Sequence, residues 1–220
     1  MQDGPTAAVI LELYEKGMTA DPAGRARLLC AAAGGDPDAA PLGDVDRAVW
    51  ALHARLFDGA SRAATATCPE CGDISEFELP EGLVPPARTG SDSVRIPFGG
   101  QDYTLRLPRL ADVAGDAPDL AAIGPGAPWD APGFAEAAEA ALEAADPGMR
   151  LKLELTCTAC GATSALPFDI PAWLWGRLAA SGPRLVDEVA RLAKAFGWSE
   201  AAILALSPAR RALYLEAAAQ

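Results

Sequence analysis

Four of the five cysteines stand in two Cys-x-x-Cys pairs, and they are the residues of this sequence best suited to chemistry. Cys68 and Cys71 form the first pair, in TATCPECGDISEFELP; Cys157 and Cys160 form the second, in ELTCTACGATSALPFDI. A two-residue spacer lets both sulfurs of a pair reach one ion from a tight turn, and four thiolates suit a tetrahedral Zn²⁺. The N-terminus lacks the features of a secretory signal, so paired cysteines favour metal over disulfides. We therefore expect one structural zinc per chain.

The same residues argue against chemistry at the metal. Four cysteines would close the coordination shell, whereas a catalytic zinc keeps one position open for water. The single histidine, His53, lies on a predicted helix and is interpreted as packed on its side rather than as a ligand. A redox dithiol is an alternative interpretation of either pair, although neither has the strand-into-helix setting of thioredoxin-like motifs. The sequence also has no Gly-rich phosphate loop and no G-x-S-x-G motif. We predict that the protein is not an enzyme.

Each cysteine pair lies between two extended runs, which predicts a β-hairpin with the cysteines at its tip. Gly72 and Gly161 follow the pairs and can supply the positive φ with which the chain leaves such a turn. Two tips meeting at one ion form a zinc ribbon, here split by the long segment 72–156. That segment costs little, because loop-closure entropy grows only logarithmically with length. Structural zinc contributes about 10–16 kcal/mol, which is larger.

The remaining pattern predicts an α+β protein in which N-terminal and C-terminal helices flank the ribbon. Apolar spacing indicates one helix ending at Gly17, a second over 22–33, and a third capped by Asp44 and stopped by Gly59. The third helix carries one apolar face, formed by Val45, Val49, Leu52 and Leu56. SVRIPFGGQDYTLRLP, residues 93–108, predicts an additional β-hairpin around a Gly-Gly turn.

Residues 108–148 form an insert rich in Ala, Pro, Gly and acidic residues, the least constrained part of the chain by sequence. We expect a loop over 117–133 and a helix that starts near Asp130. The predicted organisation is an N-terminal helical segment (1–60), a ribbon β core with its insert (61–170) and a C-terminal helical unit (171–220), together in one integrated domain.

Beyond the second pair the pattern is helical. We predict one helix for PAWLWGRLAASG and a separate one for PRLVDEVARLAKAFGW, followed by helices capped by Ser199 and by Ser207 with Pro208. Trp173 and Trp175 are interpreted as core plugs over a hairpin, with an exposed partner anchor as the alternative. The fifth cysteine, Cys30, is interpreted as a small buried apolar side chain.

Charge and hydropathy narrow the class of protein. The net charge is −12, and phosphate backbones repel such a surface. The first hairpin is itself acidic, because residues 69–81 carry no Lys or Arg but five acidic residues, Glu70, Asp73, Glu76, Glu78 and Glu81. No apolar run approaches the roughly 20 residues of a membrane span. We expect a cytoplasmic protein without a nucleic-acid partner.

Three stretches together resemble the baseplate hub assembly chaperone family of T-even-type phages, which occurs with contractile phage tails and contractile injection systems. They are PLGDVDRAVWALHARLFDGASRAATATCPECGDISEFEL, LTCTACGATSALPFDIPAWLWGRL and LVDEVARLAKAFGWSEAAILALSPARRALYLEAA. The most specific part is G-W-x-E-x-x-I-L-x-L-S-P-x-R-R-x-x-Y-L, from Gly197 to Leu215. The resemblance implies a non-enzymatic role in assembling the hub or baseplate by holding another component. Members of the family differ in whether they have the cysteines, which implies that the ion is structural.

A baseplate or hub protein is therefore the expected partner. We expect it to engage the C-terminal unit around Trp198, Leu204, Arg210, Arg211 and Tyr214, unless these residues only cap the core. The alternative function is a zinc-ribbon protein that associates with nucleic acid or regulates transcription, which would need a basic face on the ribbon.

Overall fold

The computed structural model describes residues 6–57, 59–80, 82–88, 90–113 and 117–219. Eight α-helices lie in these ranges: α1 Thr6–Gly17, α2 Pro22–Ala32, α3 Leu42–Leu56, α4 Leu120–Ile123, α5 Phe134–Ala145, α6 Ile170–Phe196, α7 Glu200–Leu204 and α8 Pro208–Ala218. None of these helices has the length and apolar character needed to cross a membrane. Glu81 of the acidic run lies outside the described residues, as do residues 114–116 of the insert.

Six strands pair into three separate antiparallel hairpins within the described residues. The first hairpin joins β1 Ala63–Thr67 to β2 Ile74–Glu78, and the second joins β5 Lys152–Thr156 to β6 Thr163–Pro167. The middle hairpin joins β3 Ser93–Phe98 to β4 Gln101–Arg106 around the predicted Gly-Gly turn. The predicted mixture of helices and small antiparallel hairpins is confirmed.

The larger hydrophobic core lies between α1, α2, α3 and α6. The predicted apolar face of α3 is buried in it, with Val45, Val49, Leu52 and Leu56 each at most 8% exposed. Cys30 of α2 is fully buried there, as predicted. Helix α6 lays one stripe of leucines, including Leu174 and Leu178, against the other three helices.

Helix α6 is one helix of 27 residues, so the predicted break into two helices is wrong. Pro183 removes one backbone hydrogen bond but sits on the exposed side of the helix. Gly182 lies under the ring of Tyr14, where an added Cβ would come within 2.3 Å of the ring carbons. Packing on both sides of this point keeps the helix continuous, because the lost bond is worth less than the buried apolar surface.

Helix α3 also differs from the prediction at both ends. It begins at Leu42 after Pro41, because the Leu42 N–H donates to the carbonyl of Pro108 at 2.9 Å. Asp44 therefore lies inside the first turn, where its carboxylate pairs with Arg47 and Arg88 instead of capping the helix. The helix ends at Leu56, before the predicted stop at Gly59.

The insert is folded, which corrects the predicted loop over 117–133. It forms a second hydrophobic core with the middle hairpin, in which Phe134 and Leu105 are fully buried and Ile123 nearly so. Three aromatic rings meet the edge or face of Phe134 at centroid distances of 5.2–5.4 Å, those of Phe98, Tyr103 and Trp129. Helix α5 starts at Phe134 after Gly133, whose φ is +84°, and not near Asp130.

Candidate metal centre

The two cysteine turns have the same backbone hydrogen bonds. In the first hairpin the Cys68 N–H donates to Asp73 O at 2.8 Å, and the Gly72 N–H donates to Cys68 O at 2.9 Å. The same two bonds, again of 2.8 and 2.9 Å, recur in the second hairpin between Cys157, Ala162 and Gly161. Gly72 and Gly161 have φ of +75° and +76°, so both carry the predicted positive φ.

The two hairpins also have the same pairing of residues along their strands. At the open end of each hairpin, the cross-strand pair Ala63↔Glu78 of the first corresponds to Lys152↔Pro167 of the second. Each hairpin has five such cross-strand residue pairs. Each hairpin therefore positions its two sulfurs in the same way, from a turn held by the same strand register. The repeat predicted from sequence is present as a structural repeat.

The four sulfurs come together at the hairpin tips. All four Sγ atoms lie within 4.8 Å of one another. The closest pairs join the two hairpins: Cys68 to Cys160 at 3.8 Å and Cys71 to Cys157 at 3.7 Å. Cys68 and Cys157 are buried, while Cys71 and Cys160 face solvent. All five cysteines of the chain are free thiols in this arrangement.

These spacings fit a tetrahedral thiolate site. A metal–sulfur bond of about 2.3 Å in tetrahedral geometry separates neighbouring sulfurs by about 3.8 Å. The two closest distances, 3.7 and 3.8 Å, agree with that separation. Within the described residues this is the one group of three or more His, Cys, Asp or Glu side chains with metal-binding geometry. The cluster can hold a metal ion, and its all-sulfur donor set favours zinc or another thiophilic metal.

The surroundings of the thiols move the pKa values of Cys157 and Cys71 in opposite directions. Backbone N–H groups of Cys160 and Ala159 lower the pKa of Cys157 to about 7. The backbone N–H of Asp73 lowers the pKa of Cys71, but the neighbouring thiols and burial outweigh it and raise that pKa to about 12. Four thiolates at this spacing need a cation to neutralise them, and metal binding releases their protons.

The open end of the first hairpin, which we call its base, is closed by aromatic side chains. The indole N–H of Trp173 donates to Ala63 O in β1 at 3.0 Å. Its ring lies 5.4 Å from Trp50 and 4.4 Å from His53, and the guanidinium of Arg177 lies 4.8 Å over Phe57 beside them. Trp173 is thus a plug over a hairpin, as the sequence predicted.

His53 is part of this plug and not of the metal cluster. It is 4% exposed. Burial lowers its pKa to about 4, with Arg177 and Arg62 adding to the effect. The imidazole is therefore neutral at physiological pH. Its neighbours are the rings of Trp50, Phe57 and Trp173, which is deeper packing than the side-of-helix position expected from sequence.

The base of the second hairpin borders an open cavity of about 740 Å³, which we call the base cavity. Its walls are the first turns of α2, α3 and α6, the 3-10 turn Leu110–Val113, and residues 149–152 and 167–169 at the hairpin base. Trp175 lines it while stacking on Tyr14 and under the guanidinium of Arg25, 4.4 Å from the ring. Trp175 is half-buried, so it belongs to both the core and this cavity.

Asp46 is the one acidic side chain in the base cavity that does not cap a helix. Asp21 and Asp169 also line the cavity, but they accept from the N–H groups of α2 and α6. No described side chain donates to or pairs with the Asp46 carboxyl group. Burial, together with the charges of Asp169 and Asp146, raises its pKa to about 8. Sequence reasoning missed this residue, because an aspartate on the polar side of a helix gives no signal until other helix ends surround it.

The five predicted partner residues occupy two environments. Leu204 and Arg211 are each 5% exposed. Arg211 donates to Glu188 and to Leu206 O, both at 2.8 Å, and so holds α8 against α6. Trp198 and Tyr214 are half-exposed with ring centroids 4.7 Å apart, and Arg210 is exposed.

The fold and the sulfur cluster define the class: an α+β protein with a four-cysteine site that can bind a metal. Comparisons with protein-family models, with curated proteins and with solved structures gave no match to this chain.

Proposed function

We propose that the protein is a non-enzymatic assembly chaperone or accessory protein for the hub or baseplate of a contractile tail or contractile injection system. It carries one structural zinc per chain on Cys68, Cys71, Cys157 and Cys160, in a split zinc ribbon. The observation that supports the interaction role is the exposed aromatic cluster of Phe196, Trp198 and Tyr214. The meeting of the four thiols at two matched hairpin tips supports the zinc assignment. The sequence stretches next to those hairpins are also the ones that resemble the chaperone family.

Zinc in this site stabilises the fold and does not perform chemistry. Four sulfurs complete a tetrahedral shell, which leaves no position for a reacting water. The first hairpin follows α3, and the second leads directly into α6 through Asp169. One ion therefore joins chain segments that are far apart in sequence, and it fixes the N-terminal helices relative to the C-terminal helices.

The exposed aromatic cluster at the C-terminus supports an interaction role. Phe196 stacks on Trp198 at 4.8 Å, and Tyr214 meets both rings. Phe196 remains 39% exposed, which is unusual for a large aromatic ring. Aromatic side chains with a nearby arginine, here Arg210, are the side chains enriched at binding hot spots. We therefore assign partner contact to Trp198, Tyr214 and Arg210, and a supporting role to Leu204 and Arg211.

The alternative, a ribbon that binds nucleic acid, receives less support. The described strands and turn of the first hairpin carry Glu70, Asp73, Glu76 and Glu78 without a basic residue. Phosphate contacts supply most of the affinity of such proteins and require lysine or arginine.

Co-expression with hub and baseplate proteins of a contractile tail from the same organism tests the proposal. We expect a complex with at least one of them, measured by size-exclusion chromatography with light scattering. Trp198→Ala should weaken its affinity by about 30-fold or more, because a buried tryptophan anchor is worth 2 kcal/mol or more. Val84→Ala is the matched control, since Val84 is 68% exposed in another part of the chain.

Two results would overturn the proposal. One is the lack of a complex with any of these hub and baseplate proteins. The other is tight retardation of DNA by the zinc-loaded protein at low salt, which would favour the nucleic-acid alternative.

A further inference from the structure

The matched hairpins have differently filled bases. The aromatic plug, formed by Trp50, His53, Phe57, Trp173 and Arg177, covers the base of the first hairpin. At the base of the second hairpin, residues 151, 152, 167 and 168 instead line the base cavity. The strand register is the same in both, so the difference comes from the surrounding helices.

The base cavity has the size and lining of a site for a peptide side chain with its neighbours. Its volume of about 740 Å³ lies within the usual range of ligand pockets, roughly 300–1,000 Å³. Leu42, Leu110 and Phe168 give it an apolar wall, and the half-buried indole of Trp175 adds an aromatic surface. Apolar walls with few convergent polar groups are the usual composition of such sites.

The charged side chains that line the base cavity indicate which kind of ligand it can bind. Three cationic residues line the cavity: Arg25 stacks on Trp175 and donates to Gly17 O, Arg150 pairs with Glu139, and Lys152 is exposed on the first strand of the second hairpin. The Asp46 carboxyl group has no partner in the described part of the chain, and the charge of Asp169 acts on it. A guanidinium beside Asp46 would lower the pKa of this carboxyl group and form an ion pair with it, whereas an anion would keep Asp46 protonated and would find no positive partner there.

We propose that the base cavity binds a partner-protein segment that places an arginine at Asp46 and apolar side chains on Leu42, Leu110 and Phe168. This assignment rests on the proposed function in one respect: a protein that holds another protein would be expected to bind a protein segment. In this assignment the bound segment covers the second hairpin base, as Trp173 covers the first. The aromatic cluster of Trp198 and Tyr214 is a separate surface on α7, α8 and the end of α6.

The test is an NMR titration of the zinc-loaded full chain, labelled with ¹⁵N. The probe is the peptide N-acetyl-Leu-Arg-Phe-amide, and the matched probe is N-acetyl-Leu-Glu-Phe-amide. We expect saturable shift changes from the arginine peptide at the amides that line the base cavity, and none from the glutamate peptide. At pH 9, where Asp46 is ionised, Asp46→Asn should weaken binding by about tenfold, the effect of losing one charge-assisted hydrogen bond.

A second variant separates binding from folding. Ala172 is exposed and lines the cavity from the first turn of α6, so Ala172→Trp fills the space without entering the core. It should abolish peptide binding, whereas Ala180→Trp, at an exposed position of the same helix outside the lining, should not. Equal binding of the two peptides, shifts elsewhere only, or binding unchanged by both Asp46→Asn and Ala172→Trp would overturn the proposal.

Binding should also strengthen between pH 6 and pH 9, because the peptide arginine stays charged while Asp46 loses its proton. The charged groups around Asp46 are Asp169, Asp146, Asp21, Arg25, Arg150 and Lys152. The outcomes distinguish the two proposals. A failed titration beside an intact complex with tail proteins removes only the cavity assignment. A successful titration without any tail-protein complex removes only the assembly role.

Discussion

At the base of the first hairpin the indole of Trp173 donates to Ala63 and lies against Trp50 and His53, whereas the base of the second borders an open cavity. The tips show no such difference, because both cysteine turns share the same bonds and the same glycine φ. A shared ion would require both tips to adopt one geometry. The bases carry no such requirement, so one can stabilise the fold while the other remains available to a ligand.

Loss of one cysteine should have the same large effect at either hairpin tip. Cys68→Ser and Cys157→Ser occupy corresponding positions, so each should abolish zinc binding and cost on the order of 5 kcal/mol or more. The reason is that structural zinc contributes about 10–16 kcal/mol in small zinc-binding peptides. Elemental analysis and thermal unfolding measure both effects. Cys30→Ala is the control, because Cys30 is buried in the helical core and should leave one zinc per chain. Retention of zinc by either serine variant would contradict a four-thiolate site.

The aromatic plug at the base of the first hairpin should make the next largest contribution to stability. Trp173→Ala removes a large packed ring and its hydrogen bond to Ala63, so we expect a loss of about 3–5 kcal/mol in the free energy of unfolding. Trp175→Ala should cost less, since part of the Trp175 ring faces the base cavity instead of packed side chains. Urea unfolding followed by circular dichroism compares the two variants. Equal losses would show that the two bases do not differ in packing.

The third prediction compares two carboxyl groups whose pKa values move in opposite directions. The raised pKa of Asp46, about 8, means that the native state retains a proton that the unfolded state releases between about pH 4 and 8. Stability therefore falls as pH rises through that window. Asp46→Asn should change little near pH 5 and should stabilise the protein by about 1–3 kcal/mol above pH 8, after solvent screening is allowed for.

The pKa of Asp112 is shifted in the opposite direction, so its contribution to stability depends on pH in the opposite way. A hydrogen-bonded ion pair with Arg106 lowers its pKa, against the raising effect of burial. Its stabilisation is present above the ordinary pKa of an aspartate and is lost as pH falls through the lowered value. Asp112→Asn should therefore cost about 1.5–3 kcal/mol at pH 7 and progressively less in acid. Unfolding of both variants across pH 3–9 checks the pair, and a stabilising Asp112→Asn at pH 7 would contradict the assignment.

The glycines of the two cysteine turns allow a second comparison of the hairpin tips, with a smaller expected loss of stability. Gly72 and Gly161 have φ near +75°, and a Cβ at either position would meet no atom within 4 Å. Gly72→Ala and Gly161→Ala should therefore each cost about 1–2 kcal/mol, from backbone strain alone. The two values should agree closely. A difference well beyond the error of urea unfolding would mean that the two turns are not equivalent.

Local chemistry explains which features the sequence could predict. The Cys-x-x-Cys-Gly turns, the Ser199 and Ser207 caps and the apolar face of α3 are set by residues close together in the chain, and the structure confirms them. The meeting of the four sulfurs was also predictable, because two identical ligand pairs have a common use.

Tertiary packing decided the features that the sequence did not predict. The insert is poor in large apolar residues, yet Phe134 gathers three aromatic rings from the middle hairpin and the loop before α5. The break expected at Pro183 does not occur, because α1 packs closely at Gly182. The base cavity exists only where the ends of three helices meet, and no local pattern marks Asp46 as part of it.

Both hairpin tips are expected to bind one ion through four sulfurs. X-ray absorption spectroscopy at the zinc edge of the purified protein tests this arrangement. We expect one zinc per chain with four sulfur neighbours at about 2.3 Å and no nitrogen or oxygen neighbour. A zinc shell that contains oxygen or nitrogen, or a folded protein with no metal and two disulfides, would contradict it.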